Sequence, residues 1–275
     1  MKVSVVIPSL ASKETLPYLK LCVESLRATT DWDIIVVTNG SPNIPNLKEI
    51  KAITRHIHIK GQGQCIASNY GGQLVSPDTD YIFVSNDDMY YAPGWNKNLT
   101  FRHPVFSPNL IEPQNNAGSA PPFVKLDGGF IIEDFDKDHV DKYVKNAVDD
   151  KQEDTTGFNL PFFIEKKFWD RLKGYDEAYD PWGSNSDTDL QTRINLAGVT
   201  PMRKRNMLVY HFSSKSGTFD GTHQDYYQNN IDYFKSKFGF DRDELNSDVW
   251  MNTDMIPTDE TKIKYKQERY DIHNS

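Results

Sequence analysis

Cysteine is scarce in this 275-residue chain: only Cys22 and Cys65 occur. A disulfide framework is therefore excluded, and their spacing fits no zinc site. Both lie in apolar-periodic segments and read as small core residues. Long hydrophobic runs are also missing. Val3 to Ile7 is ended by Pro8, too short for a secretory leader or a membrane span, and no other stretch is long enough to cross a bilayer. Basic charge is in deficit, with 31 Lys and Arg against 39 Asp and Glu and a net charge of -8. That balance gives no general pull towards a nucleic-acid backbone or an anionic bilayer. The expectations are no nucleic-acid partner, no transmembrane segment and a cytoplasmic location. What is present suffices for a core: 37% of residues are hydrophobic and 12% aromatic, which excludes wholesale disorder. The length allows one large domain or two closely packed halves.

The first third alternates short apolar runs with helical patterns. Val3 to Ile7 and Ile34 to Val37 are β-branched and continuous, as buried parallel strands are, and Asn39-Gly40 closes the second. Leu16, Leu19, Val23 and Leu26 recur at helical spacing between them. A strand at 56–59, a helix at 64–75 and a strand at 81–84 extend the rhythm to an α/β fold with a mostly parallel sheet flanked by helices. The rhythm breaks after Trp95. Residues 104–122, rich in Pro, Asn, Gly and Ser, read as a surface segment or seam. Residues 133–154, with nine acids against four lysines, read as a solvated face. Beyond them, a helix at 187–197, a strand at 207–210 and a helix near 222–238 are expected.

Ligands of open parallel sheets sit at the carboxyl ends of the strands. Polar groups follow the buried runs there: Pro8-Ser9, Thr38-Asn39-Gly40-Ser41 and Asn86-Asp87-Asp88. Adjacent carboxylates at a strand end repel, so they call for a divalent ion shared with substrate phosphates, or for an Asx-turn that caps the strand. A second cluster runs from Tyr175 to Gly198. There a Trp-bearing loop leads into a helix whose first turn holds Asp187 and Asp189, placed either to cap it or to act on a substrate. Gly61-Gln62-Gly63-Gln64 lacks the third glycine of a dinucleotide fingerprint, and no serine is framed as a nucleophile.

Taken in order, these segments resemble family 2 glycosyltransferases of the GT-A fold. Val3 to Ser9 resembles the family's first strand, and Val36 to Ser41 its second strand and nucleotide-binding turn. Asn69-Tyr70-Gly71-Gly72 resembles the helix under the donor. Asp80 to Met89 resembles the strand leading to the metal-binding DxD motif, and Gly174 to Gly198 the segment with the ED motif and catalytic base. His211 with Ser213, Ser214 and Ser216 resembles a late metal-binding histidine and its flexible loop, and Tyr233 to Gly239 a common helix ending. Three positions depart from the pattern: Asn86 at the first DxD position, Ser186 for the ED glutamate, and Asn39 for the usual acid before Gly-Ser.

The resemblance implies an inverting, hexosyltransferase-like enzyme that moves a sugar from a UDP- or GDP-type donor to a hydroxyl of a glycan or lipid-linked acceptor, with Mn²⁺ or Mg²⁺ as cofactor. Residues 1–103 would form the nucleotide-sugar-binding half, 104–240 a smaller acceptor-side and catalytic half of the same domain, and 241–275 an arm or tail. Pro8, Ser9, Asn39, Asn69, Asn86 and Asp87 would hold the donor nucleotide, and Asp88 and His211 the metal. Asp187 would be the general base, kept ionised by its helix N-terminus, with Trp182 and Asp189 facing the acceptor or sugar. His211 as a strand-end structural histidine and Trp182 as a packed loop aromatic are the plainer alternatives. Lys215 and Ser216, with Thr218, would close over the diphosphate. The remaining histidines, at 56, 58, 103, 139, 223 and 273, show no ligand spacing. Two rivals stand beside this assignment: a nucleotidyltransferase that makes nucleotide sugars, and a non-catalytic binding protein decayed from a transferase. Ser9 to Thr15 has no glycine and only Lys13, unlike the triphosphate loop of the first rival.

Overall fold

A computed structural model describes residues 1–40, 47, 50–60, 63–113, 123–149, 152–213, 215 and 224–240. Every residue of β1 (Val3–Ser9) is buried, which only a strand covered on both faces allows. It pairs in parallel with β2 (Asp33–Thr38), Val5 opposite Ile34, and β2 pairs in parallel with β3 (Arg55–His58). Helix α1 (Leu16–Thr29) has a proline in its first turn, where no N–H bond is lost, and buries Leu19, Cys22, Val23 and Leu26. Helix α2 (Gln64–Leu74) crosses the opposite face towards β4 (Tyr81–Val84), which lies parallel to β1 on its other side. Gly71 lets α2 settle onto β1, since a Cβ there would come within 2.3 Å of Val6.

Beyond β4 the sheet continues through β9 (Phe162–Glu165), β6 (Val105–Glu112), β10 (Met202–His211) and β5 (Met89–Tyr90), in the order β3-β2-β1-β4-β9-β6-β10-β5. Strands β9 and β5 run antiparallel to their neighbours and the rest run parallel. Two short strands hang off this path: β7 (Val124–Lys125) pairs with β6, and β8 (Thr155–Thr156) with β10. Helices α1 and α3 (Lys137–Ala147) cover one face. Helices α2, α4 (Lys166–Leu172), α5 (Ser186–Leu196) and α6 (Gln224–Phe238) cover the other. The result is the α/β architecture expected, a mostly parallel sheet between helical layers. Among the described residues no helix is long and apolar enough to cross a membrane.

Three expectations are corrected. Residues 105–112 are no surface segment: β6 is buried along its whole length in the middle of the sheet. Pro108 disguises it, because proline donates no ladder hydrogen bond. The strand tolerates it through a register shift in β10 between Lys204 and Leu208, opposite Pro108 and Asn109. Asn159 also donates from Nδ2 to the Pro108 carbonyl. Strand β10 starts at Met202 rather than 207. In its charged first half Arg203 and Lys204 are buried, because Arg203 bonds Asn159 and Lys204 bonds Thr100 and Asp154, while Arg205 stays exposed. The acidic stretch is not wholly solvated either, since α3 anchors itself through buried Val140 and Val144.

Candidate active site

Parallel pairing brings the ends of β1, β2 and β4 to one edge of the sheet, and so gathers Pro8-Ser9, Asn39-Gly40 and Asn86 to Asp88. Ser9 Oγ donates to Asp87 Oδ2 at 2.5 Å and accepts from the Ala11 N–H at 3.0 Å. The short β5–β10 pairing sets His211 opposite Met89, and the Phe212 N–H donates to the Asp88 carbonyl at 3.0 Å. Strand β6 lies parallel on the other side of β10, with Ile111 opposite Tyr210, so Glu112 ends beside His211. The outcome is a row in which Asp88 and Glu112 are buried and His211 is partly so. His211 Nδ1 lies 2.8 Å from Glu112 Oε1, and His211 Nε2 lies 3.5 Å from Asp88 Oδ1. Asp88 Oδ1 is buried, and apart from the long contact with His211 Nε2 it makes no hydrogen bond.

The electrostatics follow from this row. Burial disfavours the charged imidazole, but Asp88 and Glu112 outweigh it and raise His211 to about 10. Burial likewise works against the Asp88 carboxylate, yet His211 holds it below its ordinary value. Asp87 is pushed up to about 7, by burial first and by Asp88 second, against the Ser9 hydrogen bond. Lys215 has its Nζ 3.6 Å from the centre of the Phe130 ring. Burial lowers its pKa, with Asp88 opposing.

Among the described residues no three His, Cys, Asp or Glu side chains form a complete metal cage. A divalent ion that takes its remaining ligands from substrate phosphates and water does not need one. Asp88 and His211 suit that arrangement: one hard oxygen and one imidazole nitrogen face each other at 3.5 Å, and apart from that contact the buried oxygen makes no hydrogen bond. The residues present fit Mn²⁺ or Mg²⁺.

The second half of the site is held by α2 and the loop before α5. Asp180 accepts at Oδ1 from the Cys65 N–H at 3.1 Å and at Oδ2 from the Ile66 N–H at 2.8 Å, capping α2 from 115 residues away. Asn39 Nδ2 donates to the Gly63 carbonyl. Gly63 is required here: its φ is +124°, and a Cβ would lie 2.0 Å from the Asp180 carboxyl group. Asn230 on α6 donates to the carbonyls of Tyr179 and Ser184, both at 3.0 Å. This bracing sets the start of α5 and hence Asp187, whose Oδ1 accepts from Tyr175 Oη at 2.9 Å.

Asp187 departs from expectation in one respect. Its helix N-terminus was expected to keep it ionised and weakly basic. Burial instead pushes it up to about 6, with the Tyr175 hydrogen bond only partly opposing. Asp189 is corrected outright. It is fully buried and bonds Arg193 Nε at 2.5 Å, Lys237 Nζ at 2.5 Å and Tyr179 Oη at 3.2 Å, so it pins α5 to α6 instead of facing an acceptor. Asn69 is likewise a pin: it donates to the Tyr175 carbonyl and accepts from the Tyr175 N–H, both at 2.8 Å. Trp182 is half-buried, its ring set edge-on to Tyr226 at 6.4 Å. The Asn86 carbonyl accepts from Ser85 Oγ at 2.8 Å. Ser41, Ser214, Ser216 and Thr218 lie outside the described residues. Sequence reasoning missed Glu112, hidden in the supposed surface segment, and Tyr175 and Asp180, whose partners are remote in sequence.

Residues 4–102 match the sequence model of glycosyl transferase family 2. That stretch, a little over a third of the chain, is similar to the family's conserved domain. A curated relative, the uncharacterized glycosyltransferase YfnE of Bacillus subtilis (strain 168), is 23% identical over 255 residues, covering 77% of this chain and 64% of its own length. The chain thus spans a little under two thirds of that relative. Among solved structures, GalNAc-T7 with UDP, GalNAc and Mn²⁺ matches with a TM-score of 0.56 at 14% identity, covering 100% of this chain and 57% of the other. The mannosyltransferase PcManGT of Pyrobaculum calidifontis, in complex with GDP-Man and Mn²⁺, matches with a TM-score of 0.56 at 11% identity, covering 98% and 75%. At these identities the likeness is one of fold, and the fold is of GT-A type.

Proposed function

We propose that this protein is a divalent-metal-dependent, inverting glycosyltransferase that moves a sugar from a nucleotide-diphosphate sugar to a hydroxyl of a glycan or other acceptor. The observation that carries the reading is the buried Asp88 Oδ1 facing His211 Nε2 at the strand ends of a domain similar to family 2. Asp88 and His211 would hold Mn²⁺ or Mg²⁺. When bound, the ion supplies charge neutralisation for the leaving diphosphate. Donors named with the solved neighbours, UDP and GDP-Man, support a donor of UDP or GDP type.

The remaining chemistry falls to side chains of this chain. Ser9, Asn39 and Asp87 line the nucleotide edge. Tyr175 occupies Asp187 Oδ1, which leaves Oδ2 to take the acceptor proton. The acceptor oxygen then forms its bond to the anomeric carbon as the bond to the diphosphate breaks. A single displacement of this kind needs one base and inverts the anomeric configuration. A base with a pKa near 6 is ionised at neutral pH yet more basic than a solvent-exposed aspartate. Trp182 and Lys215 are assigned to the sugar and the diphosphate. The cytoplasmic location expected from composition belongs to this reading too.

Thermal unfolding with UDP, GDP, dTDP and UTP, each with and without Mn²⁺, tests it. A ligand at ~100 times its dissociation constant stabilises the native state by about 2.7 kcal/mol, a readily measured shift. The expected result is a metal-dependent shift with one diphosphate, lost in Asp88→Ala and kept in Asp187→Ala. Preference for the triphosphate would turn the assignment to a nucleotidyltransferase. No shift with any nucleotide would turn it to a non-catalytic protein.

A further inference from the structure

Glu112 has no role in the sequence reading, yet a buried carboxylate is expensive unless it is committed to a partner. It ends β6, it is 4% exposed, and its Oε1 lies 2.8 Å from His211 Nδ1. An ionised carboxylate only accepts hydrogen bonds, so the ring proton of the neutral imidazole belongs on Nδ1. Nε2 is then the nitrogen left for a metal ion, and it is the one turned towards Asp88 Oδ1 at 3.5 Å. The ring is held from behind by one acid and presented to another. We propose that Glu112 is a positioning residue of the cation site, fixing the tautomer and orientation in which His211 ligates the metal. This inference rests on the assignment of Asp88 and His211 as metal ligands.

The arrangement depends on strand register. Glu112 reaches Nδ1 because β6 and β10 are paired in parallel next to each other, and His211 reaches Asp88 because β10 also pairs with β5. One strand thus presents the ligand, while one acid ends the strand on one side of it and the other immediately precedes the strand on the other side. Partners of this outer kind are worth about 10–100-fold in metal affinity where they have been removed from other sites.

The test uses the full-length chain and Mn²⁺, alone and with UDP or GDP. The free ion is counted by electron paramagnetic resonance, and the nitrogen coupling of bound Mn²⁺ is read by electron spin echo. In the wild type the coupling should be present, and His211→Ala should remove it. Glu112→Gln should weaken Mn²⁺ binding by about 10–100-fold. The same substitution in the His211→Ala background should change Mn²⁺ binding no further, because Glu112 acts on the ion through that ring. Equal Mn²⁺ affinity in Glu112→Gln and wild type, or the same loss with and without His211, would overturn the proposal. If Glu112→Gln does not fold, Glu112→Asp, which keeps the charge but withdraws it from Nδ1, carries the same comparison. Failure of the wild type itself to bind Mn²⁺ or show nitrogen coupling would instead sink the underlying metal assignment.

Discussion

Replacing Asp187 with Asn should cost activity and add stability, and the second effect can be worked from the structure. The Asp187 carboxyl is raised from an ordinary value of 3.8 to about 6, chiefly by burial. For an acid so shifted, the folded state favours the protonated form. Its neutral form is accommodated fully below the unfolded value, and stability is lost as pH rises through the folded value. A shift of this size corresponds to about 3 kcal/mol against folding at pH 8, taking about 1.4 kcal/mol per pKa unit. Asn removes the charge and can still accept the Tyr175 hydrogen bond at Oδ1. The variant should therefore gain up to about 3 kcal/mol at pH 8, or roughly 6–12 °C in unfolding midpoint for a chain of this size. The gain should shrink steadily between pH 7 and pH 4. Urea unfolding of both proteins across that range measures it. On the kinetic side, kcat should fall by about 10²–10⁴-fold in the variant, and wild-type kcat/KM should fall tenfold per pH unit below pH ~6. A variant no more stable than wild type at pH 8, or a gain equally large at pH 4, would refute the claim that burial perturbs Asp187. An active variant would refute its role as base.

Two further outcomes follow from the bracing around that residue. Asp189→Ala removes the carboxylate shared by Arg193 and Lys237 in a fully buried site, and should destabilise by about 3 kcal/mol, the lower end for breaking a buried ion pair, because Lys237 keeps Asp176; a loss under ~1 kcal/mol in urea would show that the network is not holding α5 to α6. Gly63→Ala would place a Cβ at 2.0 Å from Asp180 at a φ of +124°, and should cost about 1–3 kcal/mol. In that variant the Cys65 and Ile66 amides should exchange faster than those at the middle of α2, and unchanged exchange would mean that Asp180 is not their protecting cap.

The stability argument for Asp187 also bears on how the site is built. Two groups assigned to chemistry sit where their environments oppose their charges, Asp187 by burial and Asp87 by burial and by Asp88, whereas Asp88 is held down by His211. The acids read as structural have bonding partners. Asp176 is held down to about 2: burial opposes its charge, but Lys237 and further hydrogen bonds prevail. Asp180 is raised by burial, which its bonds to two backbone N–H groups only partly offset. Asp189 has both oxygens bonded. Natural folds retain destabilising carboxylates where function needs them.

The sequence by itself determined the local elements of the first third of the chain and their order. Continuous β-branched runs such as Val3 to Ile7 and Ile34 to Val37 can be satisfied only inside a covered sheet, and the helical spacing of Leu16 to Leu26 only against one. Because parallel strands gather their carboxyl ends, Ser9, Asn39 and Asp87-Asp88 were legible as one edge of a site. Tertiary structure alone decided what lies across the sheet. Strand β6 was hidden because Pro108 and Asn109 look like loop residues, and are tolerated only by the register shift that β10 supplies. Glu112 therefore had no visible partner, since its meeting with His211 depends on which strands become neighbours. The two acids of α5 read alike in sequence, both in a helix first turn. Packing separated them: Lys237 and Arg193 claim Asp189, while Asp187 is turned towards Tyr175 and left without a cation to offset its burial. Periodicity is a local property of the chain, whereas burial and pairing are properties of neighbours that the chain meets only after folding.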